Sequence, residues 1–147
     1  RVYDTANRLI EVIDGSGGAT VFAYDGLSNL VSSTSYANAI AAGTVNGFKA
    51  TPPTTLQLPT ADAARDDVSR SFYDKDGRLI GVLDGAGYLS QIVYNERGEK
   101  VRASSYANLT TAGLRATGTF DQLLASVGTN SRDIHSRYFY DGRGLLR

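Results

Sequence analysis

Residues 71–108 read SFYDKDGRLIGVLDGAGYLSQIVYNERGEKVRASSYAN, and the rest of the chain is organised around this stretch. Slid back by seventy residues, it falls on the start of the sequence: Tyr73 on Tyr3, Asp84 on Asp14, Gly87 on Gly17, Tyr94 on Tyr24, Tyr106 on Tyr36 and Asn108 on Asn38. Slid forward by sixty-seven, its opening falls on Tyr140, Asp141, Gly144 and Leu146. Self-similarity at a fixed period is the signature of a repeat architecture. The chain therefore divides into one repeat unit over 1–70, a second over 71–137 and the start of a third over 138–147, all within a single repeat array.

A finer period runs inside each unit. An Asp or Asn is followed three residues later by Gly, Asn or Ser: Asp4 with Asn7, Asp14 with Gly17, Asp25 with Ser28, Asp74 with Gly77, Asp84 with Gly87, Asn95 with Gly98, and Asp141 with Gly144. The chemistry is that of a tight turn, because the carboxylate can accept a backbone N–H two residues on and Gly supplies a φ > 0 position. Asn7 is the best substitute for Gly there. Ser28 tolerates that region less well, so its turn is expected to shift onto Gly26 or Asn29.

Between the turns lie short runs of strand formers, such as residues 8–13, 19–24 and 89–94. Strands punctuated by turn signals every ten residues predict a mainly β fold, an antiparallel meander or spiral of hairpins. Ile10 and Val12 point one way and Leu9 and Ile13 the other, and Ile80 and Val82 oppose Leu79 and Leu83 in the same manner. Apolar residues on both faces predict that both faces are at least partly covered.

Two inserts are the expected cover, over residues 39–69 and 109–136. Phe120, Leu123, Leu124 and Val127 make one helical stripe, Thr119 with Gln122 has capping-box spacing, and Gly128 is placed to end the helix. Asn38 and Asn108 are expected to cap shorter helical turns beginning at Ala39 and Leu109. Pro52, Pro53 and Pro59 predict less helix in the first insert. Both inserts close on a shared phrase, Arg65-Asp66 and Arg132-Asp133.

Fifteen basic residues balance fifteen acidic ones, so no field favours nucleic acid or anionic lipid. Cysteine is absent, which removes disulfides, thiolate nucleophiles and the common zinc spacings together. No run of eighteen apolar residues occurs, and nothing calls for a cofactor or membrane insertion. Arg1 stands where a start methionine would, and the third unit is cut short at Arg147, so the sequence reads as a piece of a longer protein.

The phrases Tyr73-Asp74-Lys75-Asp76-Gly77-Arg78-Leu79 and Tyr140-Asp141-Gly142-Arg143-Gly144-Leu145-Leu146, with the twenty-one-residue steps from Tyr3 to Tyr24 and from Tyr73 to Tyr94, resemble the YD repeat of Rhs proteins. The resemblance implies a β-sheet ribbon that winds into the wall of a hollow shell. It further implies a structural, non-enzymatic part of a large bacterial protein, secreted or at the cell surface, whose shell encloses or presents a polypeptide such as a toxin. The family's Pro- and Gly-rich closing motif is missing. The long inserts resemble a variant in which a helical excursion follows a Tyr-Ala phrase.

Sharper readings compete at a few residues. His135 lies beside Asp133 and Ser136, but neighbours on one strand entry do not converge as a triad. Asp74-Lys75-Asp76-Gly77 resembles part of a calcium loop, yet Phe72 holds the first ligand position, and a hairpin turn is the stronger reading. Seven tyrosines, Tyr3, Tyr24, Tyr36, Tyr73, Tyr94, Tyr106 and Tyr140, sit at fixed repeat positions, as cross-strand packing requires. Tyr88 and Tyr138 lie outside that ladder and are the candidate contacts for a carbohydrate or cell-surface ligand, the second functional reading; a hydrolase is a distant third. The expected partners are neighbouring repeats, an enclosed polypeptide or a surface glycan. Edge-to-edge self-association is also expected where terminal strands present unpaired backbone beside Leu145 and Leu146.

Overall fold

The computed structural model describes residues 1–147 and is mainly β, with 37% strand and 12% helix. It divides into two compact units, Arg1–Ser69 and Arg70–Arg147. The first holds β1 (Val2–Tyr3), β2 (Leu9–Ile13), β3 (Ala19–Tyr24), β4 (Leu30–Ser35) and the short helix α1 (Ala42–Gly47). The second takes most of β5 (Asp67–Tyr73), then β6 (Leu79–Leu83), β7 (Tyr88–Tyr94), β8 (Lys100–Leu109), α2 (Ala112–Arg115), α3 (Phe120–Val127) and β9 (Ile134–Arg137).

In each unit the strands pair antiparallel with their neighbours in sequence. The registers repeat at the seventy-residue spacing: Val2 opposes Glu11 as Phe72 opposes Gly81, Ile13 opposes Ala19 as Leu83 opposes Leu89, and Tyr24 opposes Leu30 as Tyr94 opposes Lys100. Turn chemistry placed every ten residues fixes the register this closely, because the loop length leaves the flanking residues no choice of partner.

The inserts cover one face only. In the second unit α3 lies over the face carrying Leu83, and Leu83, Leu89, Leu123 and Val127 form a buried cluster ringed by Phe72, Tyr106, Leu114, Phe120 and Leu124. The capping box expected at Thr119 forms in full, with the Thr119 hydroxyl accepting from Gln122 N–H and the Gln122 side chain accepting from Thr119 N–H. Ile80 and Val82, on the opposite face, are half-buried, as are Ile10 and Val12. The first insert carries only the six residues of α1, and its three prolines leave residues 52–61 without helix or strand.

Asn38 and Asn108 are not helix caps, and no helix starts at Ala39 or Leu109. Strand β8 runs through Leu109, and α1 and α2 begin after Ala41 and Thr111. The two asparagines instead clamp the far ends of the inserts. Asn38 Nδ2 donates to the Thr60 carbonyl at 2.7 Å, and Asn108 Nδ2 donates to the Val127 carbonyl at 2.7 Å. A long insert leaves and re-enters the sheet at neighbouring points, and a side-chain amide bonding across the neck offers more than a cap on a four-residue helix would.

Candidate functional site

The recurrent structural site is the turn. At all seven Asp or Asn positions the residue three along donates its N–H back to the Asp or Asn carbonyl, over 2.9 to 3.2 Å. The Asp or Asn N–H in turn donates to the carbonyl four along, over 2.9 to 3.0 Å. This is the three-residue hairpin loop with a left-handed residue closing it. That residue has φ 60° at Asn7, 91° at Gly17, 66° at Ser28, 76° at Gly77, 98° at Gly87, 78° at Gly98 and 77° at Gly144. The turn at Asp25 does not shift: Ser28 itself takes the left-handed position, because moving the loop by one residue would break the register of β3 with β4. Replacing Ser28 by Gly should therefore stabilise the first unit by about 1 kcal/mol, read as a raised urea midpoint.

The side-chain oxygen at the head of each turn completes it. Asp4, Asp14, Asp25, Asp74, Asn95 and Asp141 each accept N–H groups two and four residues on, at 2.8 to 3.0 Å. Asp84 accepts from Gly87 and Tyr88 instead, at 2.9 and 2.8 Å. The calcium-like phrase is used in the same way, since Asp74 serves its own turn and Asp76 pairs with Arg78 at 3.0 Å.

These bonds favour the charged carboxyl. Asp4 and Asp74 titrate below their ordinary value of 3.8, first through the N–H of Arg8 and of Arg78. Asp14 is lowered first by the Ser16 hydroxyl, Asp25 by the Asn29 side chain and Asp141 by the Leu145 N–H. A folded pKa below the unfolded one gives stability that is complete above the unfolded value and lost as pH falls through the folded values. The urea midpoint should stay level from neutral pH to about 5 and fall below it. Asp74→Asn should still form its turn, as Asn95 does, and should make that acid limb shallower.

A second repeated device joins neighbouring turns. The Tyr24 hydroxyl donates to the Leu9 carbonyl at 2.9 Å, Tyr94 to Leu79 at 3.0 Å and Tyr140 to Lys100 at 2.9 Å. Arg8 lies 5.0 Å over the Tyr24 ring and pairs with Asp4 at 2.7 Å; Arg78 lies 5.1 Å over Tyr94 and pairs with Asp74 at 2.7 Å. A guanidinium thus bridges the carboxylate of one turn and the aromatic face that leads into a later one. The arginine four residues after Asp4 and Asp74 carries this device, and it escapes a reading that looks only for Tyr, Asp and Gly.

The shared Arg-Asp phrase closes the inserts. Asp66 Oδ1 accepts Ala37 N–H and Oδ2 accepts Asp62 N–H, both at 2.8 Å. Asp133 does the same for Ala107 at 2.8 Å and Asn130 at 3.0 Å. Gly17 and Gly87 fix the other end: their carbonyls accept the N–H of Ile40 and of Thr110, each at 2.9 Å. A Cβ on Gly17 would strike the backbone of Ile40, so this glycine serves both the turn and the insert.

The units differ at one buried point. Glu11 is fully buried, and both its oxygens accept the Gln57 N–H, at 3.2 and 3.1 Å. Its counterpart is Gly81, over which the ring of Phe120 lies.

Asp133 spends both oxygens on backbone N–H groups, and Ser136 is not the partner of His135. The imidazole Nδ1 instead lies 2.9 Å from Ser104 Oγ, its cross-strand neighbour, with its ring 6.3 Å from that of Tyr106. Tyr88 is 43% exposed, whereas Tyr138 is half-buried, with Lys100 Nζ 4.7 Å from its ring centre. Tyr106 donates to Gln91 Oε1 at 2.8 Å, Tyr3 is partly exposed on β1, and Tyr36 and Tyr73 are half-buried. No helix is long and apolar enough to cross a membrane.

Residues 3–43 match the family model described as RHS Repeat, a structural repeat. No curated protein matches the chain. The matched stretch spans the first three turns, the Arg8–Tyr24 staple and the entry to the first insert, each of which has a counterpart in the second unit at residues 73–113. Residues 3–43, and by the same turns, staple and register residues 73–113, are thus similar to the RHS repeat.

Proposed function

We propose that this chain is a scaffold segment of a large bacterial YD-repeat protein, secreted or at the cell surface. It continues a β-sheet wall that encloses or presents a polypeptide. The observation that supports this best is the turn: seven loops with one length, one handedness and one backbone hydrogen-bond pattern. That constancy is what lets strand follow strand in a continuing ribbon. The mechanism is geometric: each unit buries a core under its own insert, and part of its remaining apolar surface only when the next unit stacks on it. The half-buried Ile10, Val12, Ile80 and Val82 fit a wall with an inner and an outer side.

Proteins with one, two or three extra copies of residues 81–147 placed after Arg147 test this reading. They should unfold in urea in one transition, with midpoint and m-value rising as copies are added. Copies that each unfold at the original midpoint would mark independent modules and overturn it. The second reading, a carbohydrate-binding module, is favoured only by the exposure of Tyr88. A glycan affinity abolished by Tyr88→Ala would move the assignment there.

A further inference from the structure

We infer that the strand face carrying Arg137 and Phe139 is a docking site for the insert of a further repeat unit. The inference rests on the stacking reading above and names the surface through which stacking would act.

The second unit shows the finished form of this interface on β5. Arg70 Nη1 donates to the carbonyls of Arg115 at 3.0 Å and Gly118 at 2.9 Å, and so holds down the turn that leads into α3. The same guanidinium lies 4.8 Å over the Phe72 ring, which is 5.5 Å from the ring of Phe120. Arginine and phenylalanine two residues apart share one side of a strand. Together they grip a turn by its carbonyls and a helix by its first aromatic residue.

Sixty-seven residues on, the chain presents the same pair as Arg137 and Phe139. Here nothing covers them. Arg137 is exposed, and its guanidinium has no hydrogen-bond or ion-pair partner. Phe139 is 65% exposed. Arg137 also stands directly opposite Arg102 across the β8–β9 pair, and like charges in that relation are unfavourable. A guanidinium beside a second cation gains from a cover rich in carbonyl oxygen, and an uncovered aromatic ring gains from another ring. A small anion would answer the two arginines and leave Phe139 in water. An insert with two turn carbonyls followed by a capped helix beginning in Phe, as at residues 115–127, answers both.

The test uses the whole chain with one further copy of residues 81–147 after Arg147, which keeps the sixty-seven-residue spacing. The melting temperatures of Arg137→Ala and Phe139→Ala are measured in this tandem protein and in the 147-residue chain. Each substitution should lower the tandem's Tm by about 4 °C or more and leave that of the 147-residue chain within about 1 °C. Equal shifts in the two proteins, or none in a tandem that melts above the single chain, would overturn the docking site and leave stacking intact. A tandem that melts no higher than the single chain would overturn the stacking reading, and the inference with it.

Discussion

Replacing Leu123 with alanine should lower the stability of the second unit by about 2 to 5 kcal/mol. Leu123 is fully buried on α3 and packs in the cluster of Leu83, Leu89 and Val127. The sheet beneath cannot collapse into the space, because its strand positions are set by turns at both ends. The loss should therefore lie toward a full cavity penalty, since the cost depends on how far the site can relax. Urea unfolding followed by far-UV circular dichroism checks it. A loss under about 0.5 kcal/mol, the range of surface substitutions, would mean that the insert is a loose flap.

Gly81→Val should cost about 1 to 3 kcal/mol, although valine is the better strand former. A Cβ at this position would enter the Phe120 ring, and the ring is held against Phe72, the cross-strand neighbour of Gly81, and by the capped start of α3. The clash is steric, so a second substitution that removes the ring should relieve it. In a Phe120→Ala background the penalty for Gly81→Val should nearly vanish, a coupling that a double-mutant cycle measures directly. Additive effects of the two substitutions would show that the ring is free to move aside.

The repeat spacing made much of this fold legible. Asp or Asn with Gly three residues on is a local chemical instruction, complete within five residues, and the structure carries it out at every position. Helix α3 was legible for the same reason, since its cap, stripe and stop lie within ten residues. The rest is set by partners far along the chain. Whether Asn38 caps a helix or ties the neck of an insert depends on Thr60, twenty-two residues away, and nothing near Asn38 in sequence distinguishes the two. Ser28 takes the left-handed position because the register of β3 with β4 outweighs its intrinsic cost there. The Arg8 and Arg78 staples were present as a spacing but depend on a tyrosine sixteen residues on, which only the pairing of β2 with β3 and of β6 with β7 brings near.

The difference between Glu11 and Gly81 bears on how the chain avoids mistaking one of its halves for the other. Two strand sets of matching register in one polypeptide invite an insert to settle on the wrong set during folding. Either exchange meets a mismatch here. Over the first unit, the Phe120 ring would press on the Glu11 carboxylate; over the second, the Gln57 N–H would find no acceptor at Gly81. A single position would then penalise the wrong pairing without improving the right one. Glu11→Gly should then yield more slow-refolding or insert-exchanged dimeric species after dilution from urea. Unchanged refolding kinetics and a strictly unchanged size distribution would reduce the two positions to local packing.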